Sequence, residues 1–146
     1  MKFEKTSLED IVNFHKISHR LITSGQPEES QFQLIKDYGC EVVINLASKS
    51  TLQNEQKTAE ALGMKYIHIP VDFKNPLESD FSQFSEAMTS NNTIPILVHC
   101  IANMRASAFV YRYRHEILGI DKLVAEKDLL SVWKPTGIWQ KFLQWQ

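Results

Sequence analysis

The stretch EVVINLASKSTLQNEQKTAEALGMKYIHIPV, residues 41–71, decides the fold. Val42 to Leu46 is apolar throughout except for Asn45, as expected of a strand inside a sheet covered on both faces. TLQNEQKTAEALG then reads as a helix and KYIHIPV as the next strand. Strand, helix and strand in that order imply a parallel crossover.

The same unit extends in both directions. Upstream, HRLITSGQPEESQFQLIKDYG gives a strand near Arg20 to Thr23, a turn at Ser24 and Gly25, a helix entered through Pro27 and a stop at Gly39. Before it, SLEDIVNFHKI has a cap at Ser7 and Leu8, Ile11, Val12 and Ile17 at helical spacing, which predicts a first, peripheral helix. Downstream, DFKNP is a loop, ESDFSQFSEAM a helix with Phe81, Phe84 and Met88 on one face, and IPILVH the last strand. Arg105 to Leu118 forms the following helix, stopped by Gly119, and the tail adds two more, with Pro135 near the start of the last. The pattern describes an α/β protein, a three-layer single domain over residues 1–146 with a central, mostly parallel sheet of four or five strands flanked by helices.

Composition narrows the function. Sixteen Lys plus Arg against seventeen Asp plus Glu leave a formal charge of -1, so no bulk charge draws the chain to nucleic acid or an anionic membrane. Its first residues, MKFEKTSLEDIVNF, lack the pattern of a secretory signal, and no run approaches a membrane span, so a cytoplasmic location is expected. His15, His19, His68 and His115 have no metal-site spacing, and neither a metal nor a cofactor is expected. With only Cys40 and Cys100, no disulfide framework arises. Cys40 leads into a buried strand and reads as structural.

Cys100 stands at the carboxyl end of the last strand, where ligands collect in such sheets. A helix N-terminus there offers unpaired amides and partial positive charge to an anion or a thiolate. Such settings can lower a thiol pKa far enough to make a nucleophile. Arg105, early in the helix, can hold two oxygens of an oxyanion in its planar fork. His99 precedes the cysteine, Asn103 can adopt the left-handed conformation of a tight turn, and Ser107 supplies a hydroxyl in the first helical turn. The alternative is a small buried thiol before an ordinary helix.

VHCIANMRAS, together with SGQP, VVINL and IPVDFKNP in that order, resembles the cysteine-dependent tyrosine and dual-specificity phosphatases, in particular their small bacterial relatives, over roughly residues 20–115. The resemblance implies a dual-specificity-phosphatase-like fold and hydrolysis of phosphate monoesters, either protein phosphotyrosine or small aryl and alkyl phosphates. It also implies that Cys100 attacks phosphorus, Arg105 binds the equatorial oxygens, His99 orients the loop, and Ile101, Ala102, Asn103, Met104 and Ser107 surround the anion. Phosphate, sulfate or vanadate would occupy the same place. Asp72, between a strand and a helix, corresponds to the general acid of those enzymes; Asp80, inside the next helix, is the weaker candidate.

The chain also departs from the pattern. Four residues rather than five separate Cys100 from Arg105, and none is glycine. Arg105 keeps the family's arginine position with a loop one residue short, or Ser107 keeps the hydroxyl position with Arg105 displaced by about 100° around the helix. The apolar pattern of Phe109, Val110 and Tyr113 favours the first alignment. The short loop leaves two further readings open: a rhodanese-like sulfurtransferase carrying a persulfide on Cys100, and a pseudophosphatase that binds anions or phosphoproteins without turnover. Arg112, Arg114 and His115 read as the wet face of the helix, and Trp133, Trp139, Phe142 and Trp145 as core and lid packing.

Overall fold

The structure, a computed structural model, describes residues 7–145; the part of the leader reading that falls on residues 1–6 lies outside it. Five strands form one sheet: β1 (His15–Ser18), β2 (Leu21–Ser24), β3 (Val42–Asn45), β4 (Lys65–His68) and β5 (Ile96–His99). Their order is β1-β2-β5-β3-β4, with β1 antiparallel to β2 and every other pairing parallel. Around them lie α1 (Gln31–Tyr38), α2 (Glu55–Ala61), α3 (Glu78–Ser90), α4 (Met104–Arg112), α5 (Lys122–Leu130) and α6 (Ile138–Phe142). The expected three-layer α/β architecture and mostly parallel sheet are present.

Alternation along the strands creates two apolar layers. Val42, Ile44, Ile96 and Val98 face a cluster containing Phe81, Phe84, Phe109 and Trp139 from α3, α4 and α6. Val43, Leu97 and Ile22 face the other way, onto Phe32, Ile35 and Ala59 of α1 and α2. Each central strand is buried on both faces, which explains the near-continuous apolar runs in β3 and β5. Gly39 ends α1 at φ 118, a conformation that suits glycine, and its N–H closes on the Ile35 and Lys36 carbonyls.

Three expectations are corrected. The predicted helix over SLEDIVNFHKI is a three-residue 3-10 turn, Leu8–Asp10, capped by Ser7 and followed by β1. Asn13 at φ 49 breaks the helical path, and the following residues gain sheet hydrogen bonds by pairing with β2. Arg112, assigned to the wet face, is buried: it forms a bidentate pair with Glu78 at 2.8 and 2.7 Å and lies 4.1 Å above the Phe81 ring. Its long stem and planar head let one residue serve as both ion-pair partner and packing surface. The predicted Arg105–Leu118 helix is α-helical only to Arg112 and continues as a π-helical turn over Tyr113–Ile117.

Candidate active site

The parallel register aligns Ser24, His99, Asn45 and His68 across the carboxyl ends of β2, β5, β3 and β4. This polar row closes the apolar sheet at the end where β5 feeds α4. Because side chains alternate, His99 follows Leu97 toward the α2 layer, while Cys100 joins the α4 layer. Cys100 is buried at the floor of the turn, and its N–H donates to the Ser24 carbonyl at 3.3 Å.

The loop after Cys100 is shaped by bonds to its carbonyls. His99 Nδ1 contacts the Cys100 carbonyl at 3.1 Å, and Gln26 N–H donates to the Ile101 carbonyl at 3.0 Å. In a trans peptide the carbonyl of one residue and the N–H of the next point in opposite directions. Pinning these two carbonyls outward therefore turns the Ile101 and Ala102 N–H groups toward the concave side of the loop. Asn13 Nδ2 holds the Ala102 carbonyl at 3.0 Å, and Asn103 Nδ2 reciprocates on the Asn13 carbonyl at 2.8 Å and on Thr23 Oγ1 at 3.0 Å.

Asn103 sits at φ 68 as the N-cap of α4, the left-handed conformation expected of it, and its side chain makes no capping bond. Its amide is committed to Asn13 and Thr23 instead. The first amides of α4 are thus left without a side-chain acceptor, as an anion site requires. Gly25 completes the wall: a Cβ there would overlap the Ile101 carbonyl oxygen and lie 2.6 Å from Val12 Cγ1. In the SGQP stretch, glycine permits this close approach.

Arg105 reaches from α4 to the loops after β3 and β4, donating to the Val71 carbonyl at 2.8 Å and Ser48 Oγ at 3.4 Å. It thereby ties the cysteine loop to the segment that carries Asp72. Asp72 is exposed between β4 and α3, and its Oδ1 accepts from Lys74 N–H at 2.9 Å. Phe73, next to it, packs between Trp133 and Trp139, and Trp139 Nε1 donates to the Phe73 carbonyl at 2.8 Å. Asp80 is buried at the start of α3, where its carboxylate accepts from Leu77 N–H at 3.0 Å, so it caps that helix. Ser107 Oγ donates to the Met104 carbonyl at 3.2 Å and lines the narrow gap between α4 and α5 with Val110 and Leu129. The first turn of α4 directs it toward α5.

Behind the loop lies a buried pair that sequence reading missed. His99 Nε2 is 2.6 Å from Glu55 Oε2, with both side chains almost wholly removed from solvent. The other carboxylate oxygen accepts from Gln26 Nε2 at 2.7 Å and from Ser50 Oγ. Burial acts to raise the Glu55 pKa, but the hydrogen bond and charge of His99, with the Ser50 and Gln26 bonds, bring it down to about 2. Glu55 opens α2, where a glutamate is common for helix-dipole reasons alone, so only the facing of His99 toward α2 could have marked it. Cys40, by contrast, is a buried thiol whose pKa is pushed up to about 12 by desolvation.

Residues 2–134 match the family described as DSP-PTPase phosphatase fused to NAD+ kinase. The chain belongs to this family. Among solved structures, a candidate phosphatase (DUF442) from Shewanella putrefaciens CN-32 is 35% identical, with a TM-score of 0.82 over 94% of this chain and 92% of that one. The core catalytic domain of the PP-IP phosphatase SIW14 from S. cerevisiae shares the fold at 15% identity and a TM-score of 0.77, over 92% and 85% of the two chains. A "Beta-lactamase hydrolase-like protein" of Xylella fastidiosa is 31% identical over 96 residues, 62% of this chain; the match spans 22% of that relative's length. The resemblance drawn from VHCIANMRAS is thus that of the family. Among the described residues, no group of three or more His, Cys, Asp or Glu side chains could hold a metal ion, and no helix is long and apolar enough to cross a membrane.

Proposed function

We propose that the chain hydrolyses phosphate monoesters through a cysteinyl-phosphate intermediate on Cys100. The observation that carries this reading is the outward pinning of the Cys100 and Ile101 carbonyls beneath an uncapped α4, which leaves a set of amides facing the space above the thiol. A dianionic phosphoryl group fits such a set by charge and by hydrogen-bond geometry. Cys100 Sγ attacks phosphorus, the P–O bond to the leaving group breaks, and Asp72 gives its proton to the departing oxygen. Water then cleaves the S–P bond, returning a proton to Asp72 and releasing inorganic phosphate. Arg105 binds equatorial oxygens on leaving the Val71 carbonyl, so substrate binding and the position of the Asp72 loop are coupled.

The substrate is a phosphorylated protein or a small phosphate ester, with phosphate, sulfate and vanadate as competing anions. Two fold relatives hold ligands of that chemistry: P. aeruginosa TpbA was crystallised with pTyr and PTPMT1 with PI(5)P. Cys100→Ser is expected to abolish turnover of para-nitrophenyl phosphate with the fold retained; undiminished hydrolysis would remove Cys100 as nucleophile. Asp72→Asn is expected to slow substrates with poor leaving groups by ~10²–10⁴ while sparing activated ones. Equal losses on both would assign Asp72 to the turn alone.

The four-residue spacing from Cys100 to Arg105 favours sulfur transfer as a second reading. A persulfide on Cys100 needs less room than a phosphocysteine. Transfer of sulfur from thiosulfate to cyanide, together with no phosphate release from any ester, would establish it in place of hydrolysis.

A further inference from the structure

Glu55 is 2% exposed and His99 0%, so neither charge is solvated and each depends on its partners. The imidazole is flanked by two acceptors: Glu55 Oε2 at 2.6 Å from Nε2, and the Cys100 carbonyl at 3.1 Å from Nδ1. A carbonyl cannot donate, and an ionised carboxylate accepts only, so with Glu55 ionised each ring nitrogen bonds its partner only by carrying a hydrogen. The same carboxylate binds the Gln26 side chain, and Gln26 N–H pins the Ile101 carbonyl. Both residues that turn the loop carbonyls outward are thus anchored on one buried group of α2.

We propose that Glu55 is the positioning residue of the anion loop: through a doubly protonated His99 and through Gln26 it fixes the peptide units after Cys100 and Ile101. This inference rests on the reading of Cys100 as an anion-site nucleophile. Glu55 touches no reacting atom and acts only through its two partners. The other polar groups packed around it are accounted for. Ser50 Oγ donates to it, Tyr66 OH interacts with it while accepting from Asn45 Nδ2 at 3.0 Å, and His68 Nε2 is held on the Ala47 carbonyl at 2.7 Å. Arg105 is engaged with Val71 and Ser48, and Asp72 is exposed on its own turn. None of these offers His99 a substitute carboxylate.

Glu55→Gln keeps the shape and removes the charge. Two readouts test the inference without requiring turnover. Nitrogen-15 spectra of the unmodified protein at pH 7 are expected to show His99 with both nitrogens protonated, and those of Glu55→Gln to show a single tautomer. Vanadate binding should weaken about tenfold in the same variant and also in Gln26→Ala, whereas Gln26→Ala leaves the His99 spectrum as it is. A singly protonated His99 in the unmodified protein, or an unchanged vanadate affinity in Glu55→Gln, overturns the proposal. The first of these needs no variant, so it decides the matter even if Glu55→Gln does not fold. Hydrolysis that survives Cys100→Ser would instead overturn the phosphatase reading while leaving the His99 spectrum as it is.

Discussion

Asn103 is left-handed at φ 68, and the structure shows how a side chain is tolerated there. A left-handed residue with a Cβ costs roughly 1–2 kcal/mol, and asparagine offsets this by bonding locally. Here the bonds go to the Asn13 carbonyl and Thr23 Oγ1, and Asn13, itself at φ 49, returns one to the Ala102 carbonyl. Two left-handed asparagines thereby clasp the cysteine loop to the segment before β1. Asn103→Gly should keep the turn but lose the clasp, while Asn103→Ala loses the clasp and retains the strain. The alanine variant is therefore expected to be less stable than the glycine variant by about 1 kcal/mol in urea unfolding. Equal stability would mean that φ is relieved elsewhere. Gly25 gives a second test at this scale. Gly25→Ala must displace the backbone carbonyl of Ile101, so vanadate affinity, measured by calorimetry, should fall at least tenfold and the melting temperature should drop with it.

The loop between β4 and α3 is held from both sides, by Arg105 on Val71 and by Trp139 on Phe73, and Asp72 lies between those two anchors. Because the tryptophan comes from α6, that helix braces the segment carrying Asp72 as well as the core. Trp139→Phe removes the indole N–H and leaves much of the aromatic contact with Phe73, Phe109 and Phe142. Its expected effect is a several-fold fall in kcat on poor leaving groups with KM little changed, read by steady-state kinetics against para-nitrophenyl phosphate as the activated control. Equal losses on both substrate types would make the anchor a matter of packing alone. The sequence showed the elements that make this loop, because β4 and α3 have clear periodicity, but it hid the anchors. A hydrogen bond from residue 139 to residue 73 leaves no periodic trace, and neither does the one from Arg105 to Val71. The same reasoning explains the missed β1: Ile11 and Val12 have helical spacing, and only the positive φ of Asn13 and pairing with β2 decide otherwise.

At the scale of the whole molecule, the sheet order places β5 at the centre and sends its two end residues to opposite layers, Cys100 toward α4 and His99 toward α2. VHCIANMRAS singled out Cys100 and Arg105 as candidates, and loop position singled out Asp72; Glu55 had no such sign, since its contact with His99 arises only when β5 and α2 pack together. That packing also couples the fold to pH. The folded Glu55 carboxyl is held at about 2 against an ordinary value of 4.5. A lowered carboxyl contributes stability that is complete above its unfolded pKa and is lost as pH falls through the folded one. The window is therefore about pH 4.5 down to about 2, and the contribution is on the order of 3 kcal/mol. Urea unfolding from pH 6 to pH 2 should show the unmodified protein losing this increment progressively. Glu55→Gln should start less stable at pH 6, because it leaves a buried histidine without its counter-charge. The absence of this loss in the unmodified protein between about pH 4.5 and about 2 would show that the carboxylate contributes to the fold by shape and hydrogen bonding rather than by charge.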